Sequence, residues 1–190
     1  MKTPSETRQH WLEDATRDLR KHFGKCGFDV PENLRVSIGW PKGSRGGRKA
    51  IGQCWAATVC SDKHFEIFVS PGLRDSATIF GVLAHELVHA TVGLEHGHKS
   101  PFKQCALAIG LEGKMTATTN GPEMQERAVA YIERAGEYPA GAIDAAGQKK
   151  QSTRLIKCEC PACGYVVRVA QKWLDTGLPI CPCNEEAMTC

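Results

Sequence analysis

Residues 79–89 read IFGVLAHELVH, a segment that is almost wholly apolar apart from two histidines and one glutamate. Its apolar flanks predict a buried helix, with Ser76 as its N-cap and an end near Leu94. If the two histidines and the glutamate were buried without a metal ion, they would lack polar partners, at a considerable cost in free energy. The segment therefore predicts a helix that carries a metal site.

The pattern within this helix is H-E-x-x-H, formed by His85, Glu86 and His89. Histidines four residues apart are separated by slightly more than one helical turn, so both imidazoles project from one face and can bind one Zn²⁺. Glu86 points to another side of the metal, where its carboxylate reaches water rather than the ion. We therefore expect His85 and His89 to bind a catalytic zinc and Glu86 to act as a general base.

Spacing alone does not determine a third protein ligand. A catalytic zinc usually has three, and the nearby candidates are His96, His98, Glu95 and Glu112. The metzincin pattern H-E-x-x-H-x-x-G-x-x-H is nearly present, but Gly93 and His96 each lie one residue too far along the chain. Four candidates therefore remain open from the residues themselves.

The segment from residue 85 to residue 102, HELVHATVGLEHGHKSPF, resembles the SprT-like family, which includes the Spartan DNA–protein crosslink proteases. In that family the third histidine stands four residues before an aromatic residue, as His98 does before Phe102, although Lys99 replaces the usual glycine. The resemblance extends to the N-terminal helix, to a glycine-rich basic loop before the strand that begins at Gly52, and to a C-terminal zinc ribbon. It implies that His98 completes the catalytic zinc site.

This resemblance also implies a function, a zinc-dependent endopeptidase that cleaves proteins associated with DNA, either single-stranded or junction-containing. Two alternatives remain. One is a nucleic-acid-binding adaptor whose zincin site is vestigial, against which the intact Glu86 argues. The other is a zinc hydrolase of a non-peptide amide, which H-E-x-x-H does not exclude.

Six of the ten cysteines lie in the last 33 residues, which indicates a second metal site. A C-x-x-C pair followed by Gly164 is typical of a zinc knuckle, and a C-x-C pair follows at about the interval expected in a zinc ribbon. The shorter second pair leaves Cys158 or Cys190 as an alternative ligand. Such a zinc holds a small unit together without a large core. We expect a structural zinc bound by Cys160, Cys163, Cys181 and Cys183.

A basic, glycine-rich loop lies between two tryptophans, Trp40 and Trp55. Flexible basic loops bind phosphate backbones, and neighbouring aromatic rings can stack on exposed bases. The alternative is a solvated loop whose glycines merely form a turn, and the resemblance favours DNA. The predicted contacts are Lys42, Arg45, Arg48 and Lys49.

The remaining patterns predict an α+β fold, a zincin-like domain with a small antiparallel sheet followed by a zinc ribbon. Apolar spacing predicts helices over 5–26 and 122–134 and another with Pro101 in its first turn. Alternation predicts strands over 34–40, 52–59, 64–69 and 165–169. The expected organisation is a metallopeptidase domain over 1–135, a linker over 136–153 and the ribbon over 154–190.

Composition excludes several classes of protein. The first residues are too charged for a secretory signal, and no apolar run is long enough to span a bilayer. We therefore expect a cytoplasmic protein with reduced thiols and no membrane partner. The formal net charge of +3 permits a nucleic-acid partner without indicating one.

Overall fold

In its described residues, the first unit of the chain contains four α-helices and five β-strands. The computed structural model describes residues 7–42, 50–143 and 154–190, and it divides the chain into units of residues 1–147 and 148–190. In chain order, the elements of the first unit are α1 (Arg8–Lys25), β1 (Leu34–Ile38), β2 (Gly52–Trp55), β3 (Phe65–Val69), α2 (Ser76–Val92), α3 (Ser100–Ala108), β4 (Leu111–Lys114), β5 (Ala117–Asn120) and α4 (Pro122–Ala135). The predicted α+β class is confirmed.

Helix α2 is the predicted metal-binding helix, and it lies at the centre of the first unit. Most of its apolar residues are fully buried, among them Phe80, Leu83 and Leu87, and it packs against α1, α3, α4, β2, β3 and β5. The N-cap is Asp75, not the predicted Ser76, because the Asp75 carboxylate accepts the Thr78 N–H at 2.7 Å. A buried helix with neighbours on all sides holds its polar residues in fixed positions.

The main sheet is mixed, whereas the sequence predicted an antiparallel one. Its strand order is β1-β3-β2, with β3 parallel to β1 and antiparallel to β2. Ile38 at the end of β1 and Gly52 at the start of β2 both pair with Val69 of β3. The end of β1 and the start of β2 therefore lie beside the same residue of β3, on its two sides. As a result, β1 and β2 run in opposite directions. Alternation along one strand carries no information on this pairing.

A hairpin formed by β4 and β5 was not predicted. Leu111 pairs with Asn120 and Lys114 with Ala117, and β5 packs against α2. The hairpin buries only Leu111 among its strand residues, so it lacks the alternation that identifies a strand. It nevertheless places polar side chains beside the central helix.

The segment after α4 packs on the first unit, although it was predicted to begin a linker. Tyr138 is buried, and its ring contacts that of Trp11 edge-on at 5.3 Å between centroids. The Trp11 indole N–H donates to the Gly136 carbonyl at 2.9 Å. Residues 136–143 therefore belong to the first unit, and the rest of the predicted linker, 144–153, lies outside the described residues.

The second unit is a small hairpin with a cysteine-rich core. Its elements are β6 (Leu155–Glu159), β7 (Val166–Ala170) and the short helix α5 (Gln171–Leu174). Strand β7 lies close to the predicted 165–169, while β6 was not predicted. The buried residues are Cys158, Cys160, Cys181 and Met188. Across the described parts of both units, no helix is both long and apolar enough to cross a membrane.

Candidate metal centres and the adjoining cavity

Three imidazoles converge on one point in the first unit. The Nε2 atom of His98 lies 3.2 Å from His89 Nε2 and 3.3 Å from His85 Nε2. Nitrogens bound tetrahedrally to zinc at about 2.0–2.1 Å lie about 3.3 Å apart. Three ring nitrogens at this mutual distance fit a shared metal ion better than they fit a set of hydrogen bonds.

Helix α2 and the segment that follows it position the three rings in different ways. His85 and His89 project from adjacent turns of α2. The chain then leaves the helix at Gly93 and turns again at Gly97, both with positive φ, and so brings His98 back towards it. Phe102 of α3 is fully buried, and its ring centroid lies 4.5–4.9 Å from those of the three imidazoles. This ring forms an apolar base beneath the ligand atoms.

Burial keeps these imidazoles neutral. Burial, together with the neighbouring imidazoles, lowers the pKa of His85 to about 3 and that of His89 to about 4. The pKa of His98 is lowered by burial as well. A neutral imidazole has a free lone pair on one nitrogen, which is the form that binds metals. The site therefore presents three unprotonated donors at neutral pH.

Thr118 on β5 orients one of the donors. Its hydroxyl lies 2.8 Å from His85 Nδ1. With the proton on Nδ1 donated to this oxygen, the His85 Nε2 lone pair faces the other two histidines. The unpredicted hairpin thus contributes directly to the site.

The other candidates for the third ligand lie elsewhere. The His96 side chain is 43% exposed, and its Nε2 lies 3.7 Å from Glu95 Oε1. Glu112 is an exposed residue of β4. Among the described residues of the first unit, the group that could hold a metal consists of His85, His89 and His98.

Glu86 is a buried carboxyl beside the three imidazoles. Its burial raises its pKa to about 8, and a hydrogen bond from the Cys54 backbone partly opposes that shift. Gly52 lies against it, since a methyl group at this glycine would approach Glu86 Oε1 to 2.5 Å and Val82 Cγ1 to 2.7 Å. Strand β2 therefore approaches the carboxyl closely because residue 52 has no side chain.

A cavity of about 470 Å³ opens beside the histidines and Glu86. Its other walls are residues 50–54, Val82, Leu94 and residues 116–118, which come from the start of β2, from α2 and the turn after it, and from the hairpin. Burial raises the pKa of Cys54 in this wall to about 12, so its thiol is neutral. A volume of this size is typical of ligand-binding clefts.

Four cysteines come together in the second unit. The Sγ–Sγ distances are 3.8 Å for Cys160 and Cys183, 3.6 Å for Cys163 and Cys181, and 3.4 Å for Cys181 and Cys183. Thiolates bound tetrahedrally to zinc at about 2.3 Å lie about 3.8 Å apart. These four residues form the second group that could hold a metal.

The two cysteine pairs lie on similar turns despite their different spacing. The Gly164 N–H donates to the Cys160 carbonyl at 2.9 Å, and the Glu185 N–H donates to the Cys181 carbonyl at the same distance. Both donors have positive φ, 74° at Gly164 and 54° at Glu185. The second turn therefore has knuckle geometry without the glycine that identifies one in sequence.

Cys158 and Cys190, the alternative ligands, are joined to each other by a disulfide, so the expectation of reduced thiols is wrong for this pair. Thr189 and Glu159 exchange two backbone hydrogen bonds, which bring the chain near residue 190 alongside β6. Neither cysteine belongs to the four-cysteine group. The C-x-C pair therefore supplies both of its cysteines to that group.

The predicted basic loop is described only at its first residue. Lys42 is exposed, and its backbone N–H donates to Gln53 Oε1 at 2.7 Å. Arg45, Arg48 and Lys49 lie outside the described residues. Trp40 is exposed and Trp55 half-buried.

Sequence reasoning missed Thr118, and it gave no role to the glycine or the cysteine of the strand that begins at Gly52. Nothing in the sequence near Thr118 indicates a site, because its partner His85 is 33 residues away.

Comparison of this chain with protein-family models, with curated proteins and with solved structures found no match.

Proposed function

We propose that the first unit is a zincin-like, SprT-like zinc endopeptidase. The observation that carries the proposal is the convergence of three neutral imidazoles, 3.2 and 3.3 Å apart, beside a buried carboxyl at the base of an open cavity. A structural metal site is closed on all sides, whereas a catalytic one leaves a position open. Three donors that face a cavity fit the catalytic type.

The donor set favours zinc. Imidazole nitrogens bind zinc, copper, iron and nickel, and tetrahedral spacing is typical of zinc. When bound, zinc supplies a Lewis acid that polarises a carbonyl and makes water more acidic. His85, His89 and His98 would hold it, and Thr118 would orient His85.

Glu86 moves the proton in the proposed reaction. Its carboxyl is held between α2 and β2 by burial and by the Cys54 backbone N–H. A divalent cation nearby favours the ionised carboxylate, which opposes the effect of burial on its pKa. Glu86 then accepts a proton from the attacking water and returns it to the leaving amine.

Strand β2 offers a place for a polypeptide substrate. It is an outer strand of the sheet. The Ile51 carbonyl accepts the Ser70 N–H across to β3, so by alternation the backbone groups of Gly52 and the Cys54 carbonyl point to the free edge, while the Cys54 N–H is bound to Glu86. An extended chain can pair with such an edge, which would lay a peptide bond across the imidazoles. This edge favours a peptidase over a hydrolase of small amides.

We extend the proposal to substrates associated with DNA. On the second unit, Trp173 is 58% exposed and Lys172 Nζ lies 4.6 Å from its ring centroid. Lys157 and Arg168 are paired across the β6–β7 hairpin, on its exposed face. Exposed rings together with cations are the features that bind single strands by stacking and phosphate contact.

The test is digestion of a histone by the zinc-loaded full chain, with and without single-stranded DNA. We expect cleavage that DNA stimulates, that Glu86→Gln reduces by orders of magnitude while zinc is retained, and that a chelator abolishes. Equal cleavage with and without DNA would remove the DNA part. DNA binding without any cleavage by the zinc-loaded protein would favour the adaptor, and hydrolysis confined to small amides would favour the third alternative.

A further inference from the structure

The cavity beside the imidazoles is uncharged around its rim. Apart from Glu86 and the three histidines, its walls contain no aspartate, glutamate, lysine or arginine among the described residues. A charged substrate group that lay against these walls would lose hydration without gaining a counter-charge from them. The wall composition therefore selects against charge in whatever binds there.

The walls nearest the imidazoles are apolar and firmly held. Val82 lies one helical turn before His85 and Glu86, so it shares their face of α2. Leu94 follows the end of that helix, and both side chains pack on the main core. Ala117 closes the cavity from the hairpin side. Such walls provide an apolar recess of fixed shape.

We infer that this recess binds an uncharged, apolar side chain of the substrate polypeptide, next to the bond that is cleaved. The inference rests on the proposed function for the position of that bond. In an extended chain paired with β2, alternate side chains point to opposite faces. One side chain points towards α2 and enters the recess, while its two neighbours point away. Selectivity is thus confined to one position and the flanking positions tolerate many residues.

Binding and cleavage of a matched set of peptides test this inference separately. The peptides differ at one position, which carries Leu, Asn, Asp or Lys. Binding to the zinc-loaded Glu86→Gln protein is measured by fluorescence anisotropy, and cleavage by the wild type is measured by mass spectrometry. We expect the Leu peptide to bind and to be cleaved at least about tenfold better than the Asp and Lys peptides.

A charge placed on the wall should change the preference. Ala117 is exposed and lines the cavity, so Ala117→Glu should favour the Lys peptide and weaken the Leu peptide. Ala117→Gln is the neutral control of similar size. Thr119→Glu places the same charge on the same hairpin but outside the cavity lining, and should leave the preference unchanged.

The outcomes separate the inference from the proposed function. Equal binding of the Leu, Asp and Lys peptides, or a preference that Ala117→Glu does not alter, would overturn the inference. Preferential binding of the Leu peptide without cleavage of any peptide would support the inference and overturn the proposed peptidase.

Discussion

At the scale of single residues, the site depends on which histidine returns to the helix. The segment that follows α2 places the His96 side chain outwards and the His98 side chain inwards, and the turn at Gly97 separates the two residues. Because the exposed histidine and the inward-facing one are only two residues apart, substitutions at the two positions can be compared directly.

We expect His98→Ala to remove the metal of the first unit and His96→Ala to retain it. Loss of His98 leaves two donors where three converge, and two are too few for a catalytic zinc. Zinc content, measured by elemental analysis after dialysis, should fall by about one ion per chain in the first variant only. Loss of zinc in both variants, or only in His96→Ala, would refute the ligand assignment.

Glu86 gives the metal-free protein a specific pH dependence. Its pKa rises from 4.5 to about 8 on folding, because burial disfavours the charged form. Between these values the folded state holds a proton that the unfolded state has lost. The contribution of the neutral carboxyl to stability is therefore complete below about pH 4.5 and is lost as the pH rises through 8.

We expect Glu86→Gln to stabilise the chelator-treated protein increasingly as the pH rises from 5.5 towards 8, above which the difference levels off. Glutamine has no proton to lose, and the difference in free energy of unfolding should grow by at most about 1.4 kcal/mol per pH unit. Urea unfolding at several pH values measures it. Glu126→Gln, at an exposed position of α4, is the control. A difference that does not change with pH would contradict the burial of an ionisable Glu86.

At the scale of elements, β2 and α2 are held together closely enough to require a glycine. Gly52→Ala would place a methyl group 2.5 Å from Glu86 Oε1. We expect a loss of about 1–3 kcal/mol in the free energy of unfolding, as for other overpacked sites, and displacement of Glu86 with zinc retained. Urea unfolding and zinc content measure the two effects.

The matched control is Gly24→Ala in α1. A methyl group there would meet no atom within 4 Å, and alanine favours a helix by about 0.5–1 kcal/mol over glycine. This variant should be as stable as the wild type or slightly more so. Destabilisation of both variants to the same degree would show that the contact with Glu86 is not the cause.

The hairpin would act on a bound metal through Thr118, which contacts His85. Thr118→Val keeps the shape but removes the acceptor of the His85 Nδ1 proton, and loss of such a partner typically weakens metal binding by about 10–100-fold. Competition with a chromophoric chelator should show weaker binding at one of the two sites. Thr118→Ser retains the hydroxyl and should bind zinc as the wild type does. Equal affinities in all three proteins would remove the orienting role.

The elements that sequence predicted are those whose signals are local. Helix α2 follows from its apolar residues, and the H-E-x-x-H face follows from helical geometry alone. The parallel pairing of β1 with β3 and the hairpin contact of Thr118 depend on residues distant in sequence, whereas His98 was predicted through the family resemblance and not from spacing. The turn at Glu185 was not predicted because a residue other than glycine adopts its positive φ. Local patterns do not encode such pairings.

At the scale of the whole molecule, two separate cores carry two separate groups of residues that could hold a metal. The buried residues of the first unit form one cluster, and the four of the second form another. A core of four buried residues is too small to hold a unit together without further links, and a metal provides one.

We expect about two zinc ions per chain in the purified protein. Replacing Cys160 and Cys163 together with serine should remove one ion and leave the first unit folded, because its core contains neither residue. Elemental analysis and circular dichroism measure these effects. Cys60→Ser, outside both metal groups, is the control. A wild-type content near one ion would refute one of the two sites.

The packing of Trp11 also allows the molecule to be observed by its intrinsic tryptophan fluorescence. This indole is fully buried between Tyr131 and Tyr138 and donates its N–H to Gly136, whereas Trp173 is largely exposed. Buried and exposed indoles fluoresce at different wavelengths, so the emission of Trp11 is distinguishable from that of the exposed Trp40 and Trp173. Detachment of residues 136–143 would shift the Trp11 emission to longer wavelengths, and this signal would follow the docking of that segment in real time without any added dye.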